Sequence, residues 1–410
     1  MRKMKDSGIE WIGEIPEDWK ITTIGNLFFA KAGGDVKPNY YSYEKDDKHP
    51  FPVYTNSLDK NQIYAYTSTP IFPKNSITVT GRGDIGHAIF RDTEFDAIIR
   101  LNVLTSKIKL DEKYYTYFID TVIPFFTNSA AIGQLSANQI TPYRICYLPF
   151  SEQQKISAFL DRKCTEIDSV ISKTKATIEE YKKLKQSVIT QAVTKGIIPN
   201  RPMKDSGIEW IGEIPQEWET IRIGRLFRLR NEKNYSSLDE VRLLSLYTGI
   251  GVFPHGEHEE RGNKAVTAEG YNIVKKNDIV VNIILAWMGA IGISEYDGVT
   301  SPAYDVYIPD LSKVVPHYFH YVFRTQGIAG ECYKYGRGIM MMRWRTYSPE
   351  FKVISVPYPS IKEQQEIANY LDAKCSEIDK LIAKKEQLLT EMENYKKAVI
   401  YEYVTGKKEV

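Results

Sequence analysis

The feature that most constrains this chain is that it is written twice. The segment Met4-Lys-Asp-Ser-Gly-Ile-Glu-Trp-Ile-Gly-Glu-Ile-Pro16 returns unchanged as Met203 to Pro215. Trp19 returns as Trp218, and Ile24-Gly25-x-Leu27-Phe28 returns as Ile223-Gly224-x-Leu226-Phe227, all at an offset of 199. A second block, Glu152-Gln153-Gln154-Lys155-Ile156, returns as Glu363-Gln364-Gln365-Glu366-Ile367, and Leu160-Asp161 with Lys163-Cys164 returns as Leu371-Asp372 with Lys374-Cys375. Here the offset is 211, and it holds as far as Val193-Thr194 against Val404-Thr405. The stretches between the blocks, roughly 29–150 and 228–358, share almost no identity, and the two offsets differ by 12, the number of residues by which the second half is longer between its repeated blocks. Internal repetition decides architecture before any local propensity does. A frame kept in duplicate around two diverged inserts reads as a holder for two different readers.

The second block predicts a long helix. From Ser151 to about Lys195 there is no Gly or Pro, and apolar residues fall at Ile156, Leu160, Ile167, Ile171, Ile178, Tyr181, Leu184 and Val188. Spacings of three, four and seven put them on one stripe. Pro149 closes the preceding strand and Ser151 is the expected N-cap. The second copy follows Pro359-Ser360 and carries Ile367, Leu371, Ile378, Ile382, Leu389, Met392 and Val399. About 44 residues at ~1.5 Å each reach roughly 65 Å, longer than a compact domain of this size needs internally. Each stripe needs a partner, and duplicated units tend to relate by a twofold, so the two helices are expected to pair antiparallel.

The inserts read as mixed and strand-rich, giving an α+β chain overall. Ile77–Thr80, Ala97–Ile99, Val103–Ile108, Asp278–Val281 and Tyr304–Ile308 carry β-branched or aromatic residues between turn formers. Tyr114–Phe118 and His317–Phe323 read as aromatic helices packed on the sheets. The apolar window Ile279–Ile293 is too short to span a bilayer and contains Asn282, Gly289 and Gly292, so it reads as a buried strand pair. The start lacks the apolar core of a secretory signal, and four dispersed Cys fit neither a disulfide framework nor a zinc knuckle. A reduced, cytoplasmic compartment is expected. Lys plus Arg number 54 against 52 Asp plus Glu, which excludes a uniformly basic binder but leaves room for a basic groove.

A search for chemistry yields no catalytic constellation and no metal set. Gly81-Arg82-Gly83-Asp84-Ile85-Gly86 matches G-x-G-x-x-G, but a strand-like His87–Phe90 follows where a phosphate-binding helix is required, so it reads as a tight turn. There is no Walker A sequence and no Asn/Asp-Pro-Pro-Tyr/Phe. His255 and His258 sit in a polar run that could hold a metal or form a loop. His317 and His320 share a helical face among aromatics and read as packing residues. Binding signals are clearer. Lys334, Arg337, Arg343 and Arg345 face one acid, Glu331, and are interleaved with Tyr333, Tyr335 and Trp344, which suits phosphate or guanine contact as well as a solvated loop. In the first half, Arg82 sits at the glycine turn. Gln134, Ser136, Asn138 and Gln139 offer amides and a hydroxyl for adenine edges, or for turns.

The doubled Lys-Asp-Ser-Gly-Ile-Glu-Trp-Ile-Gly-Glu-Ile-Pro-x-x-Trp block, the Pro before each Glu-Gln-x-x-Ile run, and the helices ending in Val-Thr resemble specificity subunits of type I restriction–modification systems over residues 4 to 405. The resemblance implies two target recognition domains, 1–150 and 197–360, each with its repeated leading segment, alternating with helical spacers, 151–196 and 361–410. Each recognition domain would read half of an asymmetric, bipartite site on double-stranded DNA. The spacers, meeting through Ile156, Leu160, Ile167, Ile171, Ile178, Leu371, Ile378, Ile382 and Leu389, would dock two modification (methyltransferase) subunits, while separate restriction subunits translocate and cut. This chain would bind no cofactor; S-adenosylmethionine, ATP and magnesium would belong to partners. Two alternatives remain open at this point: an enzyme with fused specificity, for which the motifs are missing, and a two-domain regulator, for which no helix-turn-helix is found.

Overall fold

The computed structural model describes residues 2–35, 40–125, 133–248, 250–257, 267–338 and 344–410. The chain divides into two compact units, Met1–Lys175 with Gln387–Val410, and Ala176–Glu386. Each long helix, Phe150–Lys195 and Ile361–Val404, is shared between the two units.

In the first unit the leading segment forms a hairpin, Met4–Asp6 against Glu14–Pro16. Next, Lys20–Thr23 pairs antiparallel with Arg144–Tyr147, the strand that runs into the long helix, so the insert begins and ends on one ribbon. Between them lies a four-stranded antiparallel sheet ordered Phe28–Ala32, Leu101–Ser106, Ser76–Thr80, Ala88–Arg91. Its inner face buries Phe28, Ile77, Val79 and Leu104 against Tyr114, Tyr115 and Phe118 of the helix Glu112–Val122. A second sheet, Asp96–Ala97, Phe51–Tyr54, Ile63–Thr67, Tyr41–Ser42, packs around Phe72 and Phe95.

The second unit repeats the plan with other residues. Met203–Asp205 pairs with Glu213–Pro215 in the same register, and Glu219–Arg222 pairs with Ser355–Tyr358. The sheet order is Phe227–Leu229, Tyr304–Pro309, Ile279–Asn282, Ile291–Ile293, strand for strand that of the first unit. The apolar window Ile279–Ile293 is indeed a buried strand pair.

Within each unit the long helices run antiparallel. In the first, Asp168 pairs with Lys396 at 2.7 Å, the Phe159 and Tyr403 rings meet at a tilt with centroids 4.4 Å apart, and Lys175 lies 3.7 Å from Glu393. Partner numbers fall as first-helix numbers rise. In the second, Lys185 pairs with Asp379 at 2.6 Å while Ile189 and Val193 share a core with Ile367 and Leu371. Asp168–Lys396 and Asp379–Lys185 are the same pair with the helices exchanged, the signature of an isologous contact written into one chain.

Three local expectations are corrected. The first helix starts at Phe150, and the carbonyl of Pro149 accepts from the Glu152 and Gln153 amides, so Ser151 is a helical residue and not the cap. In the second copy Ser360 occupies that position, and its hydroxyl accepts from Glu363 N at 3.3 Å. Leu184, placed on the apolar stripe by period, is 48% exposed, and Ile171, Ile382 and Leu389 are only half-buried. A pair of helices buries a narrower seam than a core helix does. Ile99 lies beyond the strand Asp96–Ala97 and is exposed.

Candidate functional site

The repeated residues build one latch in each unit. Trp19 is fully buried, and its indole N–H donates to Glu152 in the first turn of the long helix at 3.1 Å. Arg2 donates to the same carboxylate and to Asp18, with its guanidinium over the Trp19 ring. In the second unit, Trp218 donates to Glu363 at 2.8 Å, and Arg201 bridges Glu363 and Glu217. The neighbouring glutamine is a staple. Buried Gln153 accepts from Asp111 N at 2.9 Å and donates to Leu148 O, while buried Gln364 accepts from Val315 N at 2.8 Å and donates to Pro359 O. The Val-Thr helix ends are fixed by buried tyrosines: Tyr114 donates to Val404 O at 2.7 Å and Tyr318 to Val193 O at 3.1 Å. Burial raises both phenols well above their ordinary range, so they remain donors. Each insert is therefore clamped on one helix start and one helix end.

On this matched frame the turn after the third sheet position differs between units. In the first, Gly81–Gly86 is a tight turn as expected. Asn56 spans it, accepting from Gly81 N at 2.7 Å and donating to Arg82 O at 2.6 Å. A side chain at Gly81 would meet the Arg100 carbonyl at 2.5 Å, and Gly86 has φ +90. Arg82 forms a bridge with Gln134, and Leu135 N donates to Gly81 O at 2.8 Å, so the structure brings these two predicted residues together. Among the described residues the Arg82 guanidinium has no ion-pair partner. Ser136 caps the short helix Ala137–Ile140, and Gln139 completes its capping box; Asn138 is exposed beside it.

In the second unit Thr346 N donates to Ile283 O at 2.9 Å, the counterpart of Leu135 on Gly81. The position of Arg82 is thus taken by Ile284, and the turn runs through Ala286–Met288 to Gly289 at φ +82. Its tip shows Leu285 and Met288 to solvent, an apolar surface that hydropathy concealed inside a buried window. Around it, Trp344 stacks on Tyr333 at 5.2 Å and donates its indole N–H to Tyr333 O, so that ring is engaged within the unit. Arg337 bridges to Arg345 through the backbone and pairs with Glu350 at 2.7 Å; Lys334 lies 3.5 Å from Glu331. Glu350 is a partner the sequence reading missed, because it lies five residues beyond the basic run and reaches Arg337 only when the helix Ser348–Val353 folds back on it. Arg345 is exposed, and Arg343 lies outside the described residues.

Two features bear on chemistry. Among the described residues no three His, Cys, Asp or Glu side chains gather as metal ligands. His255 bonds Ser245 Oγ at 2.7 Å, and His258 is not among the described residues. All four cysteines are buried, and burial pushes the Cys146 thiol up to about 12. No helix among the described residues is long and apolar enough to cross a membrane.

Fold and site together define a class: a duplicated scaffold that presents two unlike surfaces from two like clamps. The chain belongs to the family described as the type I restriction modification DNA specificity domain, which matches residues 16–180 and 215–391. It is 22% identical to the type I restriction enzyme MjaVIII specificity subunit of Methanocaldococcus jannaschii, covering 96% of this chain and 93% of that one. It is 28% identical to a putative type I specificity subunit of Mycoplasma pneumoniae over 35% of this chain, reaching 43% of that protein's length. A solved chain from work on complex assembly and conformational transition of the type I R-M system shares the fold, with a TM-score of 0.70 at 11% identity over 95% of this chain and 98% of that one.

Proposed function

We propose that this chain is the DNA-recognition subunit of a type I restriction–modification complex, itself without catalytic groups. Residues 1–150 and 197–360 act as the target recognition domains, and 151–196 and 361–410 as the helical spacers. The observation that carries this reading is the contrast between repeat and divergence: latch, staple and helix pair are the same in both units, whereas Arg82 faces Ile284 across the repeat. A frame maintained twice around two different tips suits an asymmetric, bipartite site on double-stranded DNA. Arg82 and Gln134 serve the first half-site; Lys334, Arg337, Arg345 and the Leu285–Met288 tip serve the second. Modification subunits dock on the spacers, and with the restriction subunits they carry S-adenosylmethionine, ATP and magnesium. The assembly acts in the cytoplasm.

The test lengthens the spacer. Lys175 faces Glu393, so four residues inserted after each keep the helices paired. Four helical residues add about 6 Å, roughly two base pairs at ~3.4 Å each. Methylome sequencing is expected to show both half-sites unchanged and their separation longer by one or two base pairs. Methylation at the original separation refutes the ruler; loss of both half-sequences refutes the recognition role.

A further inference from the structure

The two units differ at one place where the frame otherwise repeats. In the first unit the carbonyl of Ile12 is filled from the second long helix: Tyr401 donates its hydroxyl at 2.9 Å and Lys407 its ammonium at 2.6 Å. The repeat places Thr190 where Tyr401 stands, while Gly196, at φ +74 against Trp218, matches Gly406, at φ +72 against Trp19, which leaves Ile197 in the place of Lys407. Neither Thr190 nor Ile197 reaches the Ile211 carbonyl, which has no donor among the described residues. A cavity of about 750 Å³ opens there, bounded by Thr190, Gln191, Trp210 and Ile211. The indole N–H of Trp210 is buried without a partner, as is that of Trp11 in the first unit, so the carbonyl and not the indole separates the two. The charge also changes sign. The cavity's rim carries Lys182, Lys183 and Lys195, and the first unit has Glu393 and Asn394 at the positions of the first two. Lys182 is held by Glu179, while Lys183 and Lys195 have no ion-pair partner among the described residues.

We infer that this groove takes an acidic segment of a modification subunit that inserts an aromatic hydroxyl. Tyr401 shows which chemistry satisfies the site: a phenol long enough to reach the carbonyl. The lysines add a requirement for carboxylates next to that ring, since two free ammonium groups at a half-enclosed rim favour negative charge. The first unit supplies the ring from its own helix, so among the described residues the carbonyl is left open in the second unit alone. The scaffold is therefore symmetric in its clamps and asymmetric in its docking, and the two modification subunits bind it with unlike affinities. This rests on the reading proposed above.

The experiment uses the full chain and its own purified modification subunit, measuring stoichiometry and affinity by native mass spectrometry and calorimetry. The intact chain is expected to bind two copies with distinguishable affinities. Thr190→Tyr, which plugs the groove as Tyr401 does, is expected to weaken one binding event at least tenfold and leave the other unchanged. The pair Lys183→Glu with Lys195→Glu, both exposed, should weaken the same event and flatten its salt dependence. Unaltered melting of both variants checks the fold. Two equal events in the intact chain, or variants that assemble like it, overturn the groove while leaving the recognition role standing. Failure of the intact chain to bind any modification subunit overturns both.

Discussion

Arg230 and Asp278 offer the sharpest test of how the second unit holds the turn that follows the strand Ile279–Asn282. Arg230 donates to both Asp278 oxygens, at 2.8 and 3.0 Å, and their side chains are 6% and 2% exposed. Asp278 also accepts from Lys275 N at 2.7 Å and stands immediately before the strand Ile279–Asn282 that carries the turn. Asp278→Asn keeps the shape and removes the charge, leaving a buried guanidinium. Removing one member of a buried pair costs about 3–5 kcal/mol. Glu232, which also accepts from Arg230 but is half exposed, offsets no more than about 1 kcal/mol. The net loss is about 3 kcal/mol, which for a unit of roughly 200 residues lowers the melting temperature by about 6–12 °C. Replacing both residues, Arg230→Met with Asp278→Leu, should recover most of it, because the desolvation cost disappears with the charges. Thermal unfolding followed by amide exchange measures size and place: faster exchange in Ile279–Asn282 and Tyr304–Pro309, with no change in Ser76–Thr80. A loss below about 1 kcal/mol, or a double replacement as damaging as the single one, would show that the pair does not hold this strand.

Two further outcomes follow from the same physics. Burial, then the positive charge of Arg324, pushes His320 down to about 3, with only Asp372 opposing. The unfolded chain takes up that proton near pH 6.5, so this contribution is fully present above 6.5 and fades as pH falls toward 3. About 2 kcal/mol is lost between pH 6.5 and 5, and His320→Phe should flatten that slope in urea titrations; equal slopes refute it. Separately, the core of the first unit includes Val399, Ile400 and Val404, which a fragment ending at residue 200 lacks. Its own helix end carries Val188, Ile189 and Val193 at the equivalent positions, so two copies can complete each other. The fragment is expected to be dimeric and to direct methylation to a palindrome built from the first half-site. Sedimentation showing a monomer at micromolar concentration counts against it.

The frame was legible because repetition and periodicity are both one-dimensional signals. Identical blocks gave the duplicated plan, and apolar spacing gave two long helices and their antiparallel pairing. What the repeated polar residues do could not be read this way. Glu152 and Gln153 look like surface residues of a first helical turn, yet one receives Trp19 from 133 positions away and the other staples Asp111. Only the closed ribbon of Lys20–Thr23 with Arg144–Tyr147 brings those positions together. The candidate site was half legible. Glycine spacing located the Arg82 turn, but its counterpart lay hidden in an apolar run whose ends are buried and whose middle, Leu285 and Met288, is exposed. A hydropathy window averages over that difference.

The pattern of what repeats also explains why the chain is doubled rather than dimeric. A homodimer of one half would clamp two identical inserts, and every change in a reading turn would appear in both. Joining the halves lets Arg82 and Ile284 diverge while Glu152 and Glu363 hold their latches unchanged. The same freedom reaches the helices, where Tyr401 and Thr190 diverge beside the repeated Trp11 and Trp210. Duplication followed by separate drift thus leaves two unlike turns and two unlike helix faces on one folding solution, because the residues that fix orientation are not those that have diverged.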